Sequence, residues 1–429
     1  LSHYSVQAIS ASLPAGIAWV TFGSFFFGIC SYTGVFVAQY TGAARPDRAA
    51  ASLWQGLWFS LAAGLGLSLL YFASPLIFSL GNPDPEIIRL EISYFGLLIA
   101  FSPINLAMTT MSSFLAGLGR TKAVMWVSLI GAAFNIPMNY LLIFGVRVGG
   151  EVLIPDMGVR GAAIATVLSW ILSTAIYAFL IFNRRMEASH KVRSARQLEW
   201  PLMGRLLKYG WPGGLQFFME VFAFGFFNFA VSKLDQLTLA CNNIVFSIEA
   251  LSFFPMIGVG QTVSIMVGQA IGRGRPKEGA RATVSGMVIS TSYVFCMLLV
   301  FLFLPKEMLS LFIAEELDSA TKAFILTLGT ILLRYVALYS VFDGIYLCCF
   351  GAIKGSGDVW FPMWAMAFWG IFGLIAPILV LFLLGAATVE AMWVCMVLYI
   401  ILLTGTGYWR YKGGKWMGMR VIEPALDLE

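Results

Sequence analysis

The 429-residue chain is poor in charge: Asp, Glu, Lys and Arg together make 11% of it, against roughly 25% in a soluble domain. That scarcity excludes a water-soluble enzyme or nucleic-acid-binding module, and 59% hydrophobic residues indicate a polytopic membrane protein. Histidine is scarcer still. His3 and His190 are the only two, both outside apolar runs, so a histidine metal centre has nothing to draw on. Six cysteines (Cys30, Cys241, Cys296, Cys348, Cys349, Cys395) lie in or beside apolar runs without CxxC pairing. They read as small core hydrophobes and not as a disulfide framework. No Walker motif, HExxH or GxSxG occurs, which leaves ATP-driven or hydrolytic chemistry without a visible basis. The net charge of +5 follows the membrane topology described below and is no signal for nucleic acid.

What the chain does contain is a repeat. Val37-Ala38-Gln39-Tyr40-Thr41-Gly42-Ala43-Ala44-Arg45-Pro46-Asp47-Arg48-Ala49-Ala50 returns 230 residues later as Val267-Gly268-Gln269-Ala270-Ile271-Gly272-Arg273-Gly274-Arg275-Pro276-Lys277-Glu278-Gly279-Ala280. A second pair, Gly119-Arg120-Thr121-Lys122 with Met125 against Gly357-Asp358-Val359-Trp360 with Met363, stands 238 apart. Two similar halves in a membrane chain predict a two-lobed transporter with a site between its lobes.

Apolar segments run near 8–40, 51–79, 88–117, 123–145, 159–183, 205–231, 237–271, 280–304, 322–352, 360–384 and 389–409. Most reach or exceed the ~20 residues that cross a bilayer. The connections sort by charge: 42–50, 118–122, 184–208, 272–281, 353–358 and the tail after 409 carry 20 Lys and Arg, whereas the opposite set carries 6. The positive-inside rule puts the rich set, and the C-terminus, in the cytoplasm. Eleven crossings then leave Leu1 outside. The predicted domains are an N-lobe over 1–183, a cytoplasmic linker over 184–208, a C-lobe over 209–412 and a cytoplasmic tail over 413–429. The linker, with seven cations, reads as a topogenic loop, with a lipid head-group contact as the lesser reading.

The offset also predicts that a first helix is absent from the N-lobe. Leu1-Ser2 aligns with Val231-Ser232, where the segment 205–231 has just ended. The equivalent of Glu220 would then lie about ten positions upstream of Leu1, from the same parallel repeat. Because Arg45-Pro46 and Arg275-Pro276 both fall in the cytoplasmic set, the repeat is expected to be parallel, with the two bundles related by an axis along the membrane normal.

Three carboxylates sit well inside apolar segments: Glu220, Glu249 and Asp343. A charge at that depth costs several kcal/mol, so such residues usually face a bundle interior and have a task. Low-dielectric surroundings disfavour the ionised form of a carboxyl, which makes Glu220 a candidate for proton exchange, a structural hydrogen bond being the plain alternative. Tyr339 and Asp343, four apart, share a helix face and offer two hard oxygen ligands for Na⁺ or for a protonated acid. Glu249 is either an extra coupling group or a partner for Arg334. Asn135 and Asn139 flank Pro137, which frees backbone carbonyls; with Thr166 they could form an N-lobe cation site, or simply glue helices together. Ala38-x-x-x-Gly42 and Gly268-x-x-x-Gly272 fit close helix approach. The aromatic runs Phe22 to Phe27, Phe217 to Phe229 and Trp360 to Trp369 are candidate cavity walls for organic cations.

Several stretches carry a family resemblance. Phe36-Val37-Ala38-Gln39 through Arg45-Pro46, Asn135-Ile136-Pro137-Met138-Asn139-Tyr140 through Gly145, and Met157-Gly158-Val159-Arg160-Gly161-Ala162-Ala163-Ile164-Ala165-Thr166 resemble multidrug and toxic compound extrusion (MATE) transporters. So does Tyr339 to Asp343 followed by Lys354-Gly355-Ser356-Gly357-Asp358. The resemblance spans the chain, with C-lobe acids like those of the NorM branch. It implies an all-α polytopic protein of two six-helix bundles, eleven helices of which are present here, opening outward as a V. It implies export of organic cations against entering Na⁺ or H⁺, with no other cofactor, and it makes Glu220, Tyr339 and Asp343 the C-lobe cation site. The expected setting is the inner membrane, as a monomer whose partners are lipid and small cationic substrates.

Two rivals remain at this level. A lipid-linked saccharide flippase shares the architecture, but pyrophosphate-linked cargo calls for several intramembrane cations, and Arg334 stands against three carboxylates. An intramembrane aspartyl protease is suggested by Gly355-Ser356-Gly357-Asp358, yet Asp358 falls in a turn whose repeat counterpart is Arg120.

Overall fold

The computed structural model describes residues 6–79, 84–148, 151–313 and 318–423. The chain forms two units, Leu1–Phe218 and Met219–Glu429. The first holds α1 (Val6–Gly42), α2 (Pro46–Ser68), α3 (Leu70–Ser79), α4 (Pro85–Ala100), α5 (Ser102–Gly117), α6 (Thr121–Phe144), the strands β1 (Val146–Val148) and β2 (Glu151–Ile154), α7 (Gly158–Ile181), α8 (Arg184–His190) and the first part of α9 (Trp200–Ser232). The second holds the rest of α9, then α10 (Gln236–Gly272), α11 (Pro276–Phe303), α12 (Pro305–Ser310), α13 (Ser319–Ser356), α14 (Trp360–Trp369), a π-helical turn Gly370–Ile375, α15 (Ala376–Leu383), α16 (Val389–Lys412) and a 3₁₀ turn Lys415–Gly418.

Nine of the described helices are long and apolar enough to cross a membrane, or eleven when α2–α3 and α4–α5, bent by 45° and 48°, each count as one crossing. Helices prevail because a spanning backbone must satisfy its own hydrogen bonds. Proline at the first turn opens α2, α4 and α11, and Asp84, Asp235 and Asp318 cap α4, α10 and α13 through their side chains. Thr238 hydrogen bonds hold the Asp235 carboxyl below the usual carboxylate range. The expectations about Leu1, and about a helix before it, concern residues outside those described.

Four findings refine the expected plan. The connection between the apolar segments 123–145 and 159–183 contains an antiparallel pair, with Val146 opposite Ile154 and Val148 opposite Glu151. The stretch 184–208, read as a linker, is fastened to α2. The Trp54 indole donates to the Val192 carbonyl at 2.6 Å, Trp58 to Arg196 at 3.1 Å and the Gln55 amide to Gln197 at 3.0 Å. The units divide inside α9, between Phe218 and Met219, and not at 208. Finally, residues 413–422 fold back: Trp416 is fully buried among Val263, Val267, Cys348 and Ala352, stacked on Tyr411 at 5.5 Å.

The repeat is visible in backbone detail. Ala44 and Gly274, 230 apart, both take positive φ (54° and 71°), and the following residues, Arg45 and Arg275, each return a 2.9 Å bond to the carbonyl five residues back. Gly119 and Gly357 do the same 238 apart, with Arg120 and Asp358 closing the turns. These are Schellman ends. Packing repeats as well: Ser60 bonds Thr110 at 2.8 Å where Ser290 meets Cys348 at 3.8 Å. A Cβ on Gly56 would meet Thr33 and Thr110, and one on Gly286 would meet their counterparts Val263 and Cys348. One helix breaks the pattern. In the first unit the chain bends at Phe101, between α4 and α5, whereas α13 runs unbroken. That helix is the core of the second unit, with 72% of its apolar window buried against 17% for α6.

Candidate functional site

In the second unit, three helices bring the intramembrane acids together. Tyr339 and Asp343 project from one face of α13, 4% and 3% exposed, and α10 supplies Glu249 at 9%. The Tyr339 hydroxyl is hydrogen-bonded to Glu249, and Asp343 lies within the electrostatic field of both Glu249 and Glu220, which α9 presents half-buried. Glu249 therefore pairs with Tyr339. Arg334, the other expected partner, is exposed on α13. Buried carboxylates at this depth are tolerated only when hydrogen-bonded or matched by charge.

Two further groups complete the site. Lys354 follows Asp343 by three helical turns on the same stripe of α13, half-buried, and interacts electrostatically with Glu220. Tyr399 of α16 faces Glu220 and Asp343, its hydroxyl 2.7 Å from the Met366 sulfur. The sequence assigned Lys354 to a cytoplasmic turn because Gly-Ser-Gly follows it; the eleven-residue spacing from Asp343 was the signal that could have placed it here. Tyr399 gave no such signal, since only tertiary packing brings it near. It abuts the π-helical turn, where a Cβ on Gly373 would meet its backbone at 3.7 Å. Turns of this kind recur at functional sites.

Among the described residues no three of His, Cys, Asp or Glu converge closely enough to grip a metal ion. The acids thus form an extended field and not a closed cage. Beside them stands an aromatic wall. Trp393, fully buried, stacks on Phe246 at 5.2 Å, meets Phe227 edge-on at 5.6 Å and lies 6.2 Å from Tyr339. Its indole donates to Asn242 at 3.0 Å, and Asn242 donates in turn to Asn228 at 3.1 Å. Of the expected wall residues in 217–229, Phe224 joins this group through Phe246 at 4.5 Å. From the run Trp360 to Trp369, the Trp369 indole donates to Thr406 at 2.8 Å.

Among its described residues the first unit shows no equivalent cluster. Asn139 donates to the Asn135 side chain at 2.7 Å and to its carbonyl at 3.1 Å, so the pair is satisfied within α6. Thr166 turns back to the Ala162 carbonyl at 3.0 Å. No carboxylate joins these three among the described contacts. The rings of Phe22 to Phe27 pack on one another and on Phe59, Phe95, Trp19 and Trp211. One acid of this unit escaped the sequence reading: Glu91 of α4 is 3% exposed, and one of its carboxylate oxygens has no hydrogen-bond partner. It lies at the mouth of the apolar segment 88–117 and not well inside it.

Against known proteins, the MatE family profile matches residues 1–141 and 212–378. A probable multidrug resistance protein NorM of Burkholderia mallei is 30% identical over 349 residues, 80% of this chain and 72% of the relative. The multidrug resistance protein NorM of Vibrio parahaemolyticus is 24% identical over 360 residues, covering 84% and 76%. Among solved structures, an outward-facing multidrug resistance transporter of the MATE family and MOP superfamily superposes with a TM-score of 0.85 at 18% identity, over 96% of this chain and 90% of that one. A MOP superfamily transporter from Pyrococcus furiosus gives 0.84 at 17%, over 96% and 89%.

Proposed function

This chain belongs to the MatE family of multidrug efflux transporters, which are not enzymes, and from that premise we propose that it exports organic cations in exchange for entering Na⁺ or H⁺. The observation that carries this reading is the buried field of Glu220, Glu249 and Asp343, opposed by Lys354 alone among the groups that interact with it. With all four ionised the site holds an excess of negative charge in a low-dielectric lobe. A proton, Na⁺ or a cationic substrate relieves that excess, and each does so at the expense of the others. Mutual exclusion at one site is the thermodynamic core of exchange: a bound ion lowers the affinity for cargo, and cargo lowers the affinity for the ion by the same factor.

Tyr339 serves as the oxygen that bridges Glu249 to the face of Asp343, and the Trp393 wall supplies ring faces that attract a delocalised cation. The Lys/Arg-rich connections set the cytoplasmic side, and the bacterial relatives make the inner membrane the expected setting.

Full-length protein in proteoliposomes, loaded with a fluorescent organic cation such as ethidium, tests the proposal. Imposing a pH gradient and a Na⁺ gradient separately identifies the coupling ion by which one drives movement of the dye. Dye movement indifferent to both gradients overturns the exchange reading.

A further inference from the structure

The α1–α2 turn of the first unit and its copy in the second share a backbone but not a charge balance. In the copy, Arg273 and Arg275 lie 3.7 and 3.2 Å from Glu278, so both guanidinium groups have a carboxylate within their own turn. The residue 230 earlier than Glu278 is Arg48, and Asp47 stands where the copy has Lys277. The arginines of the first turn therefore meet a different arrangement of charge. Arg48 and Arg45 stand over the ring of buried Tyr40, at 6.0 and 5.4 Å, and Arg205 reaches the Tyr40 hydroxyl at 3.3 Å. Glu199, 2.7 Å from Arg48, and exposed Asp47 are the carboxylates nearby.

Beside this cluster the turn borders a pocket of about 320 Å³, lined by Thr41, Ala44, Arg45, Pro46 and His190. The Thr41 hydroxyl has no hydrogen-bond partner. His190, at the end of α8, is bonded through Nδ1 to Ser189 at 2.7 Å and lies in the field of Arg120. The start of α2 adds its own positive end, with no side-chain cap. Arg45 at the start of α2, the His190 imidazole and the Thr41 hydroxyl thus line one cavity, with Arg120 in the field of His190.

We infer that this pocket binds a phosphate group, either that of an anionic phospholipid on the Lys/Arg-rich face or free phosphate. Arg45 and Arg120 supply the charge, Thr41 and His190 the hydrogen-bond donors. Arginine forks match phosphate oxygens. The Trp54 and Trp58 indoles, which anchor 192–197 to α2, are residues of the kind that mark head-group depth.

The test uses the whole protein in nanodiscs of phosphatidylcholine alone, of phosphatidylcholine with phosphatidylglycerol, and of phosphatidylcholine with added inorganic phosphate. Retained lipid is read by native mass spectrometry, and the His190 titration by NMR, assigned through His190→Gln. Burial, and secondarily Arg120, hold the His190 imidazole below its ordinary range, so a bound phosphate moves it upward. Preferential retention of phosphatidylglycerol with that upward shift identifies a lipid head group; a shift with inorganic phosphate alone identifies a soluble ligand. Arg45→Gln, and independently Arg120→Gln, weakens retention by about fivefold, the weight of one cation near an anionic surface. Arg275→Gln, at the matching turn of the second unit, leaves it unchanged. No preference and no shift with either anion, or equal losses in Arg45→Gln and Arg275→Gln, overturns the inference.

Discussion

Where the second unit places Glu249, the first places Trp19, stacked on Trp170 at 5.1 Å. Where the second has Tyr339 and Asp343, the first has Phe101 and Asn105, by the 238-residue correspondence that aligns Cys348 with Thr110. The same holds at the turns, where Glu278 corresponds to Arg48 and Asp358 to Arg120, although Arg45 and Arg275 correspond to each other. Contacts between small side chains and the ends of helices are duplicated; these other charged groups are not. Packing is a property both copies need in order to stand in a membrane, and it survives in both. A buried carboxylate costs several kcal/mol unless matched, and the two copies place theirs differently: Glu91 lies in α4 of the first unit, whereas Glu220, Glu249 and Asp343 gather in the second.

The sharpest way to break that contrast is to exchange the chemistry. Asp343→Asn gives the second unit the amide of the first, and gradient-driven efflux in proteoliposomes falls to background, as it does in Glu220→Gln. Asn139→Ala in the first unit leaves efflux within a few-fold of the parent. Equal losses in both units would mean that the acids are not where coupling resides.

A stability comparison comes next. Asp358 and Arg410 form a mostly buried pair at 2.8 Å, with Phe361 4.8 Å from the guanidinium. Asp358→Ala strands that cation and costs about 3–5 kcal/mol; Arg120→Ala, at the matching turn, costs less than about 1 kcal/mol, as surface changes do. Thermal unfolding of the purified variants reads both, and equal costs would undo the asymmetry.

Where the units agree, mutations ought to agree too. A Cβ on Gly117 falls against the Gly34 carbonyl, and one on Gly355 against that of Ser264, its counterpart. Gly117→Ala and Gly355→Ala are each expected to lower stability by about 1–3 kcal/mol, the usual range for overpacking. A cost in one unit alone would show that the shared packing is only apparent.

The smallest effect concerns Ala44, whose φ of 54° is a conformation its twin meets with Gly274. Ala44→Gly removes a left-handed penalty of about 1–2 kcal/mol but loosens the unfolded chain by about 0.5–1 kcal/mol. A net gain of a few tenths to 1 kcal/mol follows, readable as a slightly higher Tm. Gly274→Ala has the opposite sign.

Much of this architecture could be read from the chain. The eleven apolar segments, the Arg-Pro turns and the i, i+4 pair of Tyr339 and Asp343 depend on local periodicity, which sequence displays. The bend at Phe101, the return of Trp416 to the C-lobe core and the approach of Tyr399 to the acids depend on contacts between residues far apart in the chain. Lys354 lies between these cases: its helical phase was local information, hidden by the glycines that follow it. The Asn135, Asn139 and Thr166 group shows the reverse problem, since spacing put three oxygens in range of each other while their hydrogen bonds turned inward to their own helices.

Trp416 has a bearing on how the protein is made. Its indole fills a cavity framed by α10 and α13, yet it follows α16 in the chain. Domains tend to fold as units during synthesis, but this contact cannot form until α16 has been made. Insertion and maturation are thereby separate events, and a reporter fused just after Lys412 would score the first while blocking the second.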